Sequence, residues 1–186
     1  MAKSMSNEKV NRELKMYKYL LITTLLLLSV SCNINRSSKA EKYKALAERF
    51  CREEYGINPS VVDELAAEDI VVSYPAYKRF FGTSNIRGRE AVKNLSAGFC
   101  NRWKETQITF HESIAEGNSV VLVWTFKGRN AGSPLPDVKP TNKIETWGGI
   151  TIYRFNKDGR IKTEYGLESD PGPIERMQID DSFQGN

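Results

Sequence analysis

The sequence has little of what metal and nucleophile chemistry requires. One histidine, His111, and three cysteines stand in 186 residues, and none falls at the spacing of a metal-ligand set. No serine or cysteine partners His111 at a spacing that suggests a triad, and a lone histidine is more often a surface or structural residue. Which way it faces is open, because the apolar alternation of "ITFHESIAE" slips at that point. Internal repeats and low-complexity segments are absent. So is a hydrophobic run of membrane-spanning length: the uncharged stretch Tyr19 to Val30 has about 12 residues where a span needs about 20. A basic surface is also missing. The formal charge is +4, but residues 1–31 hold five basic and two acidic side chains, leaving 22 basic against 21 acidic. Without a basic patch there is no electrostatic case for nucleic-acid binding.

What the chain does have begins with its leader. Lys15 and Lys18 precede the short apolar run, which ends in Leu28-Ser29-Val30-Ser31-Cys32. This is the layout of an export signal, and its end resembles a bacterial lipoprotein cleavage box, with serine in place of the usual leucine three positions before the cysteine. The expected organisation is a signal peptide over residues 1–31, a lipidated Cys32 with a polar tether to residue 40, a domain over 41–178 and a short tail over 179–186. The chain would then be held to a membrane by lipid, in the bacterial envelope outside the cytoplasmic membrane. Cys51 and Cys100 remain, either as an exported disulfide or as two small buried hydrophobes.

Within the domain, Tyr43, Leu46, Ala47, Phe50 and Cys51 recur at helical spacing and predict an amphipathic helix over 41–55. Asn58-Pro59 opens a second helix to Ala67. "DIVVSYP" predicts a strand, residues 76–88 a loop unusually rich in aromatics, and Arg89 to Trp103 a third helix. The period then changes to two. Strands are expected over 107–115, 119–128, 143–155 and 160–167, with turns at Glu116-Gly117-Asn118 and Asp158-Gly159. Helices first and antiparallel strands after indicate an α+β fold, helices packed on one face of a curved sheet, with a cavity between them.

"ELAAEDIVVSYP" with "IRGREAVKNL", then "IAEGNSVVLVWTFKGRNAG" and "KPTNKIETWGGITIYRFNKDGRIKTEYGLESD", resemble in order and spacing the SnoaL-like polyketide cyclases of the nuclear transport factor 2-like superfamily. The resemblance implies a conical α+β barrel with an apolar pocket, often paired into a homodimer through its open sheet. It also implies cofactor-independent, metal-independent acid/base chemistry by an acidic residue near the end of the last strand, for which Asp170 is the best match. Two positions depart from the pattern: Asn142 replaces a glycine, and "GRNAGSP" lacks the histidine found in that loop of some members.

A carboxylate serves as a base towards a carbon acid when an apolar cavity raises its pKa. Asp170, beside Pro171-Gly172-Pro173, either looks into the cavity mouth or caps the tail and faces water. Alternation along "TEYGLE" groups Glu164, Gly166 and Glu168, expected on the solvated face. Tyr165 and Leu167 would then point inward, with Tyr165 a donor to a ligand carbonyl. Trp103, Trp124, Phe126, Trp147 and Tyr153 either line the cavity as ligand contacts or fill it as core. The expected ligand is a small hydrophobic or carbonyl-bearing molecule, bound for catalysis or by a non-enzymatic binding or interaction module.

Overall fold

The computed structural model describes residues 39–132 and 139–169, together with Lys18. The chain divides into two compact units, Met1–Lys39 and Ala40–Asn186, and the fold below belongs to the second. Cys32, Asp170 and the tail lie outside the described residues.

Helix α1 (residues 39–54) forms on the expected apolar stripe, burying Tyr43, Ala47, Phe50 and Cys51. Its ring contacts fix it to the sheet: Tyr43 stacks on Phe155 at 4.2 Å and Phe50 meets Tyr153 edge-on at 5.9 Å. The last helical residue, Glu54, leaves a carbonyl without an intrahelical partner. Ser96 Oγ donates to it at 2.6 Å.

The second helix is shorter than its apolar spacing predicts. α2 (Val61–Leu65) stops and β1 (Ala66–Ser73) starts at once, so Ala66 and Ala67 belong to a buried strand. The aromatic stretch after β1 is not a plain loop. It contains α3 (Tyr77–Phe81), closed by Gly82 at φ 67°, and β2 (Asn85–Arg87), paired antiparallel to β1. α4 (Arg89–Arg102) passes directly into β3 (Trp103–Glu116), followed by β4 (Ser119–Asn130), β5 (Ile144–Phe155) and β6 (Ile161–Glu168). Gly117 and Gly159 supply the positive φ of the two hairpin turns. Asn142 takes φ 56°, the left-handed conformation that asparagine tolerates better than most residues.

The sheet order is β2-β1-β6-β5-β4-β3. All neighbours are antiparallel except β1 and β6, which run parallel, a pairing that local sequence pattern does not reveal. The inner face takes Val120, Leu122, Trp124 and Phe126 from β4 and Trp147, Thr151, Tyr153 and Phe155 from β5. β3 shifts register between Phe110 and Glu112, so His111 is the extra residue and is exposed.

β6 carries the most consequential irregularity. Phe155 pairs with Ile161 but Arg154 pairs with Thr163, leaving Lys162 as an extra residue. Because side chains alternate with period two, one inserted residue exchanges the faces of everything after it. Glu164 and Gly166 therefore point into the core. Tyr165 and Leu167, expected inside, are on the outer face, where Tyr165 is 41% exposed. They lie across from Ile152 and Ile150, in an apolar outer face that also includes Ile114.

Two inward glycines make room for aromatic rings. A Cβ at Gly149 would overlap the Trp124 indole, and one at Gly166 would overlap the Tyr74 ring. Gly166→Ala is expected to lower the denaturation midpoint at unchanged m-value, costing about 1–3 kcal/mol through overpacking. Wild-type stability in that variant would mean that Tyr74 does not pack on β6.

Candidate functional site: an aromatic slot backed by paired carboxyls

Between the helices and the inner sheet face lies a narrow cavity of about 20 Å³, room for about one water molecule. The end of α1 contributes Cys51 and adjacent Tyr55, the residue after β1 contributes Tyr74, and α4 contributes Phe99. The sheet adds Ile108, Trp124, Phe126, Trp147 and Glu168. Six of these nine side chains are aromatic. Phe126 and Trp147 lie 4.2 Å apart and Phe99 meets Phe126 edge-on at 5.4 Å, so the rings brace one another and leave a slot rather than a chamber.

Behind the two tyrosines sit two carboxyls with almost no solvent contact, Glu54 at 0% and Glu164 at 1% exposure. Glu164 Oε1 accepts from Tyr55 Oη at 2.6 Å and from Tyr74 Oη at 2.8 Å. Trp124 Nε1 donates to Thr151 Oγ1 at 2.9 Å, and Thr151 Oγ1 is 3.1 Å from Tyr74 Oη. The direction of this chain follows from its ends. An indole N–H only donates and a carboxylate only accepts. Tyr74 gives its hydrogen to Glu164, so Thr151 must give its own to Tyr74.

With both carboxyls charged, Glu54 Oε1 and Oε2 and Glu164 Oε2 would have no hydrogen-bond partner. Burial alone pushes both pKa values above the ordinary glutamate range. Glu54 is driven further up by the neighbouring Glu164 charge, whereas Glu164 is held back by hydrogen bonds from Tyr55, Glu54 and Tyr74. Burial beside the Glu164 charge thus favours the protonated form of Glu54, and the two carboxyls titrate as a coupled pair. The same burial and the Glu164 charge raise Tyr55, Tyr74 and Tyr77 well above a free phenol, keeping all three hydroxyls protonated donors.

The structure sorts the residues singled out from sequence. Trp124, Phe126 and Trp147 line the slot, while Trp103 and Tyr153 do not. Trp103 borders an open depression with Ile57 and Cys100, and Tyr153 is packed under Phe50. Tyr165 is removed from the interior by the β6 bulge, and with it the role of inward donor. Glu164 is buried and Glu168 lines the slot, correcting the expectation of a solvated acidic face. Cys51 and Cys100 are free thiols, and burial pushes the Cys51 thiol far up, so it is inert at neutral pH. Among the described residues no cluster suited to a metal ion occurs.

Sequence pattern passed over Glu54, Tyr55, Tyr74 and Thr151. For Glu54 a signal existed: it continues the stripe of Tyr43, Ala47, Phe50 and Cys51 at i+11, i+7, i+4 and i+3, and an acid on the apolar face of a helix is a candidate buried carboxyl.

The profile of the SnoaL-like domain matches residues 47–164. No curated protein sequence matches the chain. Among solved structures, a protein named as a SnoaL-like polyketide cyclase from Jannaschia sp. superposes with a TM-score of 0.60 at 14% identity, covering 78% of this chain and 95% of its own. A protein named as a polyketide cyclase from Acidithiobacillus ferrooxidans gives 0.57 at 22% identity, with coverage of 74% and 94%. A protein of ketosteroid isomerase-like fold from Catenulispora acidiphila, solved with trimethylamine, gives 0.57 at 15% identity, with coverage of 75% and 97%. At these identities the likeness is one of fold.

The proton on Glu54 has a measurable consequence. A carboxyl whose folded pKa is raised binds more proton folded than unfolded between the two values, so stability falls as pH rises through that window. Wild type is expected to lose stability from about pH 4.5 upward, the ordinary glutamate value, relative to Glu54→Gln, at a slope of at most about 1.4 kcal/mol per pH unit. Denaturant unfolding of both proteins across that range would show it, and a pH-independent difference between them would rule out the raised Glu54 pKa.

Proposed function

Since the chain belongs to the SnoaL-like domain family, we propose that its aromatic slot takes up a small, largely apolar, carbonyl-bearing molecule and carries out acid/base chemistry beside the carbonyl. The observation that carries this reading is the Glu168 carboxylate, set into a wall otherwise made mainly of aromatic rings. An apolar lining weakens the hydration of a carboxylate and strengthens it as a base. The Trp147 indole N–H is buried without an acceptor, a cost of about 1–3 kcal/mol that a carbonyl oxygen in the slot would relieve. Glu168 would take the proton from carbon while Trp147 holds the carbonyl oxygen as negative charge develops on it. Phenol hydroxyls that already give their hydrogens to Glu164 keep the back of the slot rigid.

Proton exchange is the minimal form of this chemistry. Deuterium incorporation next to the carbonyl of a small aryl ketone, followed by NMR in heavy water, is expected to be catalysed by the full-length protein. Glu168→Gln should slow it by about 10²-fold or more. Unchanged exchange in that variant, with loss in Asp170→Asn, would transfer the role of base to Asp170.

The proposal places this domain in the bacterial envelope, tethered through lipid on Cys32, on the strength of the short apolar leader and the small residue before the cysteine. Cys32→Ser is expected to move the protein from the membrane pellet to the soluble fraction of lysed cells and to abolish labelling by a fatty-acid analogue. Labelling that persists would exclude Cys32 as the lipid site.

A further inference from the structure

With room for about one water molecule, the slot admits a ligand only if part of its wall moves. Most of the wall is tied down. Ile108, Trp124, Phe126, Trp147 and Glu168 stand on strands laddered to their neighbours, and moving one of them breaks the sheet. Cys51 and Phe99 stand on α1 and α4, helices anchored by their buried side chains.

The excursion 75–83 between β1 and β2, which carries α3, is held differently. It leaves and returns at one point, where the Tyr74 N–H donates to the Ser84 carbonyl at 3.1 Å and Ser73 pairs with Asn85. Its other described backbone bonds outside α3 are local: Tyr77 N–H to the Tyr74 carbonyl at 3.0 Å and Lys78 N–H to the Pro75 carbonyl at 3.2 Å. A helix of five residues without a side-chain cap is too short to hold itself. Of the side chains described in 75–83, Ala76 and Tyr77 pack against the core, whereas Pro75 and Lys78 are exposed and Phe81 is 50% exposed. Gly82, at φ 67° with open space where a Cβ would stand, leaves the far end of the helix free to rotate.

Tyr77 is what the excursion lays on the slot. Its ring lies 5.0 Å from that of Tyr74, and Phe81 meets it edge-on at 5.7 Å. Burial first, then the charges of Glu164 and Glu168, raise its hydroxyl well above a free phenol, and that hydroxyl bonds with the hydroxyl of Tyr55. Tyr55, Tyr74 and Glu168 all line the slot, so one side chain of the excursion reaches three of the nine lining residues from outside.

From the shut slot, the local tethering of α3 and the position of Tyr77, we infer that the excursion 75–83 is a lid and that the slot described above is its closed state. Lifting α3 withdraws Tyr77 and opens the end formed by Tyr55, Tyr74 and Glu168. This rests on the slot being a ligand site, and it adds the part that must move before a ligand enters.

Opening is read without a ligand in two ways. Hydrogen exchange of the full-length protein should release the amides of 76–83 at least about 10²-fold faster than those of β4 and β5, through local opening. Acrylamide quenching reads the slot itself, because the three tryptophans, Trp103, Trp124 and Trp147, are 1%, 7% and 3% exposed. Tyr77→Ala should raise that quenching at least about twofold while exchange in β4 and β5 stays as in wild type. Saturating acetophenone should then speed exchange in 76–83, the reverse of ordinary protection, because a ligand and a shut lid cannot share the volume of one water. Exchange in 76–83 as slow as in the sheet overturns the lid, and so does quenching unchanged by Tyr77→Ala. A lid that opens in both tests while acetophenone leaves its exchange unchanged overturns the slot as a ligand site, and this inference with it.

Discussion

The interior is organised around a constraint that two adjacent buried carboxyls impose: they cannot both be charged. Removing a carboxylate from water costs several kcal/mol unless hydrogen bonds replace its hydration. Glu164 receives two phenol hydrogens at 2.6 and 2.8 Å, and burial beside that charge raises Glu54 well above the ordinary glutamate range. Each contributor comes from a different element. Glu54 ends α1 and Tyr55 follows it, Tyr74 follows β1, Glu164 is on β6, and Thr151 on β5 fixes the direction of the tyrosine. The pair thus ties a helix to three parts of the sheet at one point, deep between the helices and the sheet. Such a node does more to select a single arrangement than to stabilise it, since its own desolvation is unfavourable.

The slot is a by-product of satisfying this node. Tyr74 must lie flat over β6 to reach Glu164, which is why Gly166 cannot carry a side chain. Trp124 must turn its N–H to Thr151, and its ring then covers Gly149. With both rings fixed, Phe99, Phe126 and Trp147 pack edge and face around the remaining space. The walls are rigid because the rotamers of the aromatic residues are set by polar partners at the back as well as by neighbouring rings.

Much of this was legible in the sequence, and what was not has identifiable causes. Long strands with a clean period, β4 and β5, showed their inner faces directly: Trp124 with Phe126 and Trp147 with Tyr153 share sides as their spacing requires. The stripe of α1 was equally plain. Residues 76–88 read as loop because α3 and β2 are too short to show a period. The pairing of β1 with β6 joins segments about 90 residues apart, which no local pattern encodes. The site was harder. Its chemistry depends on the facing of β6, where one extra residue is silent in a hydrophobicity pattern. Two acids at alternate positions with Gly166 between them read as a solvated face, which sends Tyr165 inward; Glu164 and Tyr165 each lie on the reverse side.

That extra residue makes β6 behave like a reading frame. Counted forward from Ile161 at period two, Tyr165 and Leu167 fall inside; counted back from Glu168, Glu164 and Gly166 do. The position of one extra residue decides between the two counts, and with it whether β6 brings a carboxyl or a phenol to the interior. A comparison of relatives that matches β6 residue for residue, without locating the bulge, pairs interior positions of one protein with surface positions of another.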